Sequence, residues 1–277
     1  MNEPVREFYD GLADQYHFLF ADWREEVAKQ GEALAAIIRR EAGPAAASVL
    51  DCAYGIGTQA IGLALRGYRV HASDFSEAAV ARARGEAASF GVELSFGVAD
   101  FRALDAAIAA KFDIAICCDN ALSHCLDDPD LSAAATQVRA RLNAGGLFVA
   151  SIRDYDLLLE QSGAEPGRDP GLPGLHGQRA AHGPPRGTMP QVFDDADGRR
   201  IAFQVWDWAP DRRSYAVHQY FLQEFRGQYD TTHHLSRFRA LLRRELEQAL
   251  RAAGFADVRW HMPPGSGYYQ PVVTARA

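Results

Sequence analysis

The stretch that decides the fold is Ser48 to Ala60, which reads S-V-L-D-C-A-Y-G-I-G-T-Q-A. A short apolar run ends in a carboxylate, a loop with two glycines follows, and an apolar helical run begins at Gln59. Strand, glycine turn and helix in this order are typical of the first unit of a nucleotide-binding α/β sheet. Gly55 and Gly57 allow the backbone to bend sharply and a ligand to approach it closely.

Two ligand classes fit this turn. Residues 55–60 satisfy the dinucleotide pattern G-x-G-x-x-A, which would indicate NAD. Asp51, four positions before the first glycine, would repel a pyrophosphate there. The same carboxylate would hold the cationic amino-acid tail of S-adenosylmethionine (SAM), directly or through water. The spacing hydrophobic-hydrophobic-Asp-x-x-x-Gly-x-Gly also resembles the first motif of class I SAM-dependent methyltransferases, so we expect SAM as the cofactor and S-adenosylhomocysteine as its product.

Composition limits the partners. The chain has 277 residues, of which 48% are hydrophobic and 23% charged, and a net charge of -7. This predicts a globular protein without the basic surface that nucleic acid requires. The N-terminus lacks a signal-peptide pattern, and no apolar run approaches the roughly 20 residues that span a bilayer. We therefore expect a cytoplasmic protein with a small-molecule substrate and no membrane partner, while a homo-oligomer stays possible.

Metal and disulfide chemistry are not expected. The four cysteines form no C-x-x-C pair, and His233 and His234 have no further ligands at metal spacing. We predict free thiols in a reducing compartment and no metal site.

Acidic residues follow the next two predicted strands. Residues 67–71 lead into S-D-F-S, and residues 93–98 lead into A-D-F-R. Asp74 stands where a carboxylate would accept the two hydroxyl protons of a ribose. For Asp100, the resemblance to class I SAM-dependent methyltransferases implies a carboxylate that accepts from the adenine amine, and the alternative is a helix N-cap. Because the carboxyl ends of parallel strands meet at one crevice, we expect Asp51, Asp74 and Asp100 to converge there.

The predicted fold is α/β, with a Rossmann-like seven-stranded sheet whose last strand is antiparallel, and an inserted small antiparallel β cap. Strands are predicted at 112–118 and 147–152, a helix at 237–253, and the last two strands at 256–261 and 268–275. Alternating runs at 191–193, 200–208 and 213–225 indicate the cap, after a Gly/Pro-rich loop at 163–190. The predicted division is an N-terminal helical lid at 1–43, a SAM-binding core at 44–156, the substrate-capping insertion at 157–235, and the end of the core at 236–277.

Several motifs resemble one family more closely. They are V-L-D-C-A-Y-G-I-G-T-Q-A-I-G-L-A at 49–64, C-C-D-N-A-L-S-H at 117–124, S-I-R-D-Y-D at 151–156, S-G-Y-Y-Q-P at 266–271, F-Y-D at 8–10 and F-Q-V-W-D-W at 203–208. Each resembles the bacterial glycine/sarcosine N-methyltransferases. One departure is Tyr54, where a small residue or cysteine is expected in relatives.

The resemblance implies transfer of a methyl group from SAM to the amine nitrogen of a small molecule, with an amino acid as the expected substrate. Two alternatives remain open. One is an O- or C-methyltransferase of a small secondary metabolite on the same fold. The other is a non-enzymatic or NAD-linked nucleotide-binding protein.

The chemistry of methyl transfer indicates which roles His124, Asn120 and Arg153 would have in the site. The acceptor nitrogen needs a free lone pair in line with the C–S bond, so an ammonium must first lose its proton. His124 is either the base or a histidine that hydrogen-bonds the strand end, and Asn120 would orient the amine through its carbonyl. Arg153 is either the anchor for a substrate carboxylate or an ion-pair partner of Asp154 or Asp156.

The predicted site has three groups of residues. The catalytic group is Asn120, His124 and Tyr16. The substrate-binding group is Arg153, Tyr155, Tyr269, Gln270 and Trp206. The cofactor-binding group is Tyr9, Tyr16, Trp23, Asp51, Ala53, Gly55, Gly57, Asp74, Phe75, Asp100, Phe101 and Asp119.

Overall fold

The computed structural model of the protein describes residues 3–160, 184–195 and 198–277. The described residues form two sheets, one of seven strands and one of four. Most of the predicted loop at 163–190 lies outside the described residues. Its predicted place in the substrate-capping insertion therefore stays a prediction.

The large sheet has the strand order β10-β11-β5-β4-β1-β2-β3. Its strands are β1 Ser48–Asp51, β2 Arg69–Asp74, β3 Ser95–Val98, β4 Phe112–Cys117, β5 Leu142–Ser151, β10 Ala256–His261 and β11 Val272–Arg276. β1 to β5 pair in parallel, and β11 runs antiparallel to both of its neighbours. The predicted fold class is therefore confirmed. The last strand is shorter than predicted, because residues 263–266 form a helical turn and 268–271 a loop before it begins.

Helices cover both faces of this sheet. They are α1 Glu3–Leu12, α2 Trp23–Ala42, α3 Thr58–Ala64, α4 Glu77–Ser89, α5 Asp128–Ala140, α6 Tyr155–Glu160, α7 Arg243–Ala252 and α8 Pro263–Ser266. Asp22, Ser76 and Asp127 each accept a backbone N–H from the first turn of the helix that follows, which fixes where α2, α4 and α5 begin. None of the helices in the described part of the chain is long and apolar enough to cross a membrane.

Two apolar layers hold the sheet between these helices. One packs α5 and α7 against the sheet and includes Leu131, Leu246 and Phe148. The other packs α2 against the opposite face and includes Ile38 and Val149. Because β1 and β4 lie in the middle of the sheet, buried on both faces, their carboxyl ends form a rigid base for a site.

The insertion forms the second sheet, in the order β6-β7-β8-β9. Its antiparallel strands are β6 Gln191–Asp195, β7 Gly198–Trp208, β8 Ser214–Phe225 and β9 Gln228–Arg239. The predicted helix at 237–253 is wrong at its start, since 237–239 belong to β9 and α7 begins at Arg243. Arg226 and Gly227, both with positive φ, form the two-residue turn that joins β8 to β9. This two-residue turn was not recognised in the sequence, although it would have indicated a further hairpin. The cap sheet therefore extends to residue 239, beyond the predicted end of the insertion at 235.

The N-terminal segment is held on the insertion. Phe8 and Leu12 of α1 pack against Ala202 and Phe221 of the cap sheet. Arg200 of β7 donates hydrogen bonds to the backbone carbonyls of residues 18 and 20, at 2.6 and 3.0 Å. Residues 3–20 therefore lie between the cap sheet and the core, where the sequence predicted a lid.

Candidate active site

A cavity of about 520 Å³, counting its open mouth, lies at the carboxyl ends of β1, β2 and β4. Nine of the predicted site residues line it: Tyr9, Tyr16, Ala53, Gly55, Asp74, Phe75, Phe101, Asp119 and His124. Cys52, Tyr54, Ile56, Thr58, Gln59, Cys118 and Ala121 line it as well and were not singled out from the sequence as site residues.

The glycine turn leaves room on the cavity side. A Cβ on Gly55, whose φ is +55°, would meet no atom within 4 Å, so a ligand can approach the backbone there. Gly57 has no such free space, because a Cβ there would lie 2.5 Å from the hydroxyl of Tyr54. Tyr54 is buried beneath the turn and packs edge-on against Phe96. The unexpected tyrosine thus supports the turn and also contributes to the cavity wall.

Asp51 has the feature that best fits a cationic ligand. The side chain is 1% exposed, and its Oδ1 accepts the N–H of Ala53 at 3.2 Å. Its Oδ2 is buried and has no hydrogen-bond partner among the described residues. Burial, assisted by the charges of Asp74 and Asp119, raises the pKa of this carboxyl to about 8. A buried carboxylate oxygen without a partner is costly, and the ammonium group of a SAM tail would satisfy it.

The Asp74 carboxylate can still accept hydrogen bonds from the two hydroxyls of a diol. Its Oδ2 accepts the N–H of Gly55 and its Oδ1 that of Ser76, both at 2.9 Å. Each oxygen retains a second lone pair, as two ribose hydroxyls would require. Burial raises the pKa of this carboxyl to about 6 despite these hydrogen bonds.

Three predicted cofactor residues besides Asp51 do not line the cavity, and their roles stay predictions. Asp100 is held by Arg102, whose guanidinium approaches both of its carboxylate oxygens and also binds Asp130. The Arg102 backbone N–H donates to Asp100 as well, as in the N-cap alternative. Trp23 donates to the Thr58 hydroxyl at 2.9 Å and so fixes a residue of the wall, and Gly57 shapes the turn.

Hydrogen bonds fix the tautomer of His124. Its Nδ1 lies 3.2 Å from the carbonyl oxygen of Arg237, which can only accept, so Nδ1 carries the proton. Its Nε2 therefore accepts the hydroxyl proton of Tyr9, at 2.8 Å. Burial lowers the pKa of this imidazole to about 4. His124 lines the cavity, but both ring nitrogens are occupied and its basicity is low.

Asp119 and Asn120 form a strained corner after β4. Both have positive φ, +54° and +67°, which is uncommon for non-glycine residues and is concentrated at functional sites. Ser151 holds this corner, since its hydroxyl accepts the Asp119 N–H at 2.9 Å and its carbonyl the Asn120 N–H at 3.2 Å. The Ser151 hydroxyl in turn donates to Gln270 at 2.9 Å. Gln270, predicted to bind substrate, therefore supports the corner through Ser151.

Two tyrosines contact the Asp119 carboxylate. Tyr268 donates to Oδ1 at 3.0 Å, and Tyr269 donates to the same oxygen. Burial raises the pKa of this carboxyl, although hydrogen bonds from Tyr269, Gln59 and Tyr268 lower it again.

Asn120 begins a hydrogen-bonded chain that leads to Arg153. Its amide donates to the Tyr155 hydroxyl at 2.8 Å, the hydroxyls of Tyr155 and Tyr215 are 2.8 Å apart, and Arg153 donates to Tyr215 at 2.9 Å. The Asn120 carbonyl, predicted to orient the acceptor amine, already accepts from the Ser123 hydroxyl and the Arg153 backbone. That role of the carbonyl is not supported, and one amide N–H remains for a ligand.

Arg153 is partly buried and has no acidic partner in the described part of the chain. Its guanidinium carbon lies 4.5 Å from the ring centre of Trp206, a predicted substrate residue that is 1% exposed. The alternative of an ion pair with Asp154 or Asp156 is wrong, because Arg243 pairs with both. Tyr215 was missed from the sequence, although alternation along β8 would have placed it on the inward face with Trp206.

Comparisons with known proteins agree with this geometry. Residues 49–146 match the family described as a methyltransferase domain. The chain is 30% identical over 159 residues to the glycine/sarcosine N-methyltransferase of Parasynechococcus marenigrum and 26% identical over 156 residues to that of Halorhodospira halochloris. Those matches cover 57% and 56% of this chain, and 55% and 57% of the two relatives. The chain thus spans little more than half the length of the curated relatives it matches.

Solved structures share the fold over most of the chain. DesVI of Streptomyces venezuelae has a TM-score of 0.69 at 16% identity, and SAM-bound CalS10 of Micromonospora echinaspora, an amino pentose methyltransferase, has 0.68 at 18%. Each comparison covers 90% of this chain and 91% of the other. Residues 49–146 thus form a methyltransferase domain, and the matched domain, the curated relatives and the shared fold together support a class I SAM-dependent methyltransferase with SAM as its cofactor.

Proposed function

We propose that the protein transfers a methyl group from SAM to the amine nitrogen of a small molecule that carries a carboxylate, an amino acid of the glycine or sarcosine type. The observation that carries this proposal is Arg153, a partly buried guanidinium for which the described residues supply no carboxylate. A charge withdrawn from water without a partner is unfavourable, so the site is suited to an anion supplied by the substrate.

The surroundings of Arg153 favour a planar anion. The Arg153 guanidinium lies over the Trp206 ring, and one of its terminal nitrogens donates to the Tyr215 hydroxyl. The remaining N–H groups have no partner among the described residues, and a guanidinium can donate two parallel hydrogen bonds to one carboxylate. Asp74, together with Asp51 once the cofactor's cation has displaced its proton, makes the cofactor region acidic, so a substrate carboxylate is favoured only where a cation meets it.

The position of Arg153 favours a small substrate. Its backbone N–H donates to Asn120 at 3.1 Å, and Asn120 directly follows the cavity residue Asp119. An acceptor held by its carboxylate at Arg153 would place an amine a few bonds away toward the cavity. When bound, SAM supplies the methyl group as a sulfonium with a neutral leaving group. The protein then has to align the acceptor, which can contribute roughly 7–11 kcal/mol.

The names of the curated relatives point to the same substrates. Two are called glycine/sarcosine N-methyltransferases, and a third, from Actinopolyspora halophila, is 25% identical and is called glycine/sarcosine/dimethylglycine N-methyltransferase. Their matched regions are partial, so the names support the proposed class and leave the preferred member of that class to experiment.

The experiment is steady-state methyl transfer by wild type and by Arg153→Lys and Arg153→Ala, with an amino acid and its amide as acceptors. Arg153→Lys keeps the charge but loses the two-pronged geometry, and we expect it to raise KM and lower kcat/KM together. Arg153→Ala should abolish turnover of the carboxylate acceptor and leave SAM binding nearly intact. Arg244→Ala, at an exposed position of α7, is the matched control and should behave as wild type. Full activity of Arg153→Ala on the amino acid would refute the carboxylate-binding role.

A further inference from the structure

The acceptor amine presents a second problem that Arg153 does not solve. An aliphatic amine is protonated near neutral pH, and an ammonium has no lone pair with which to attack the methyl carbon. The site therefore needs either the rare free amine from solution or a group that removes the proton after binding.

His124 is poorly suited to remove this proton. Its Nε2 lone pair is occupied by the Tyr9 hydroxyl at 2.8 Å, and its Nδ1 carries a proton directed at the carbonyl of Arg237. The ring is 5% exposed and also packs against Phe238, with ring centres 4.2 Å apart. To act as a base, His124 would have to lose the Tyr9 contact and accept charge in an apolar setting.

The carboxylates of the cofactor end are also poorly placed. Asp74 is tied to the backbone of Gly55 and Ser76, and Asp51, the last residue of β1, does not line the cavity. Asp119 differs from both. It lines the cavity directly, next to Asn120, whose hydrogen-bonded chain leads to Arg153.

Two tyrosines hold the Asp119 carboxylate by one of its oxygens. Tyr268 and Tyr269 both donate to Oδ1, so neither tyrosine occupies Oδ2. Its backbone conformation, with φ of +54°, is fixed by the Ser151 hydroxyl at 2.9 Å. A strained backbone position secured from outside is a recurrent way of directing a functional side chain.

We propose that Asp119 is the catalytic base, which accepts through Oδ2 the proton of the acceptor's ammonium group. This assignment rests on the proposed function, since it requires an amine acceptor. An N–H bond of the ammonium breaks and an O–H bond forms on Asp119. The free lone pair then forms the N–C bond as the C–S bond breaks, which gives a methylated ammonium and a neutral thioether. Asp119 releases its proton to solvent, so one proton leaves per methyl transferred.

Burial favours this proton transfer both at the Asp119 carboxyl and at the acceptor amine. A partly enclosed site raises the pKa of a carboxyl and lowers that of an amine, because each change disfavours a charged form. The pKa of the Asp119 carboxyl is raised by burial in this structure. The two pKa values therefore approach each other, which lowers the free energy required to move the proton between them.

The test uses Asp119→Asn, which keeps the size of the side chain and an oxygen that accepts from both tyrosines. In wild type, kcat/KM for an amino acid should be level between the pKa of the carboxyl and that of the free amino acid's ammonium. In the variant, only the free amine reacts, so kcat/KM should fall roughly 10²- to 10⁴-fold near neutral pH and regain about tenfold per pH unit. Because Asp119 is also a predicted cofactor residue, S-adenosylhomocysteine affinity is measured by calorimetry in parallel and should fall far less than kcat/KM. Asp207→Asn, an exposed carboxylate of the cap sheet, is the control.

A second acceptor separates a base from a merely structural residue. The terminal amine of an aminooxy acid is unprotonated at neutral pH and needs no base. The variant should methylate this acceptor at nearly the wild-type rate while it fails on the amino acid. An equal loss on both acceptors, a level pH profile in the variant, or a lost S-adenosylhomocysteine affinity that accounts for the whole effect would overturn the proposal.

Failure of the proposed function would be recognised separately. If wild type prefers amines without a carboxylate, the substrate class is wrong, and the ratio of wild-type to variant rates on the preferred amine still tests Asp119. If wild type methylates no amine at all, both proposals fail.

Discussion

Binding of a cationic cofactor should release a proton from Asp51. The carboxyl has a pKa of about 8 in the empty site, and its Oδ2 has no hydrogen-bond partner among the described residues. At pH 7 about nine-tenths of such carboxyls carry a proton. A cationic amino group bound there would stabilise the carboxylate and lower its pKa, so binding should release about 0.9 proton per site.

The same coupling predicts how affinity depends on pH. Removing a proton from a group with a pKa of about 8 at pH 7 costs about 1.4 kcal/mol. Because an α-amino group loses its charge above about pH 8, the affinity for SAM should rise roughly two- to threefold from pH 7 to about pH 8 and fall again at higher pH. The empty protein should show the opposite dependence. A pKa raised above its unfolded value contributes stability that is present at low pH and is lost as the pH rises toward about 8.

Calorimetry in buffers of different ionisation enthalpy measures the released proton directly. At pH 7, the wild-type protein should release about 0.9 proton from Asp51 for each cofactor bound, and Asp51→Asn should release almost none. The cofactor's own α-amino group contributes equally to both proteins, so the difference between them is the readout. Asp74, with a pKa of about 6, is mostly ionised at pH 7 and adds little. Equal proton release by the two proteins would refute the assignment of Asp51 to the cofactor's cationic group.

Three further predictions concern the cofactor, the packing and the lid. Asp74→Ala should weaken SAM binding by roughly 1.5–3 kcal/mol if two charge-assisted hydrogen bonds are lost, and unchanged affinity in a folded variant would remove it from the site. Gly31→Ala should destabilise the protein by about 1–3 kcal/mol in denaturant unfolding, because its Cβ would lie 2.6 Å from the backbone of Gly62 where α2 meets α3. Gly85→Ala, with open space around it in α4, should instead stabilise by up to about 1 kcal/mol. S-adenosylhomocysteine should slow amide hydrogen exchange in residues 3–20, and equal exchange with and without it would contradict a lid.

The core strands and the glycine turn could be predicted from local sequence. Ser48–Ala60 contains a strand, a glycine turn and a helix in contiguous residues, and Asp74 directly ends β2. Such signals lie within a few residues of each other, so they require no knowledge of distant contacts. The predicted helix at 237–253 failed for the opposite reason. Residues 228–239 become a strand because β8 offers them a partner along their whole length.

The acceptor side of the site depends on distant contacts. Residues 120, 155, 215 and 153 are linked into one hydrogen-bonded chain only because the cap sheet folds back onto the ends of β4 and β5. The sequence indicated Arg153 as a binding residue for a substrate carboxylate. It could not show that Asp154 and Asp156 would form ion pairs with Arg243. Likewise, the Tyr9 hydroxyl that occupies His124 comes from a residue 115 positions away. Without that contact, His124 was the obvious candidate for the base.

The central claim is methyl transfer to the nitrogen of an amine that bears a carboxylate. The most direct measurement is a competition, in which wild-type protein and methyl-labelled SAM are mixed with equal amounts of an amino acid and its amide. Mass spectrometry then determines which acceptor carries the label and on which atom. We predict label on the nitrogen of the amino acid, with little on the amide. Label mainly on the amide, or on an oxygen or carbon of either acceptor, would contradict the account.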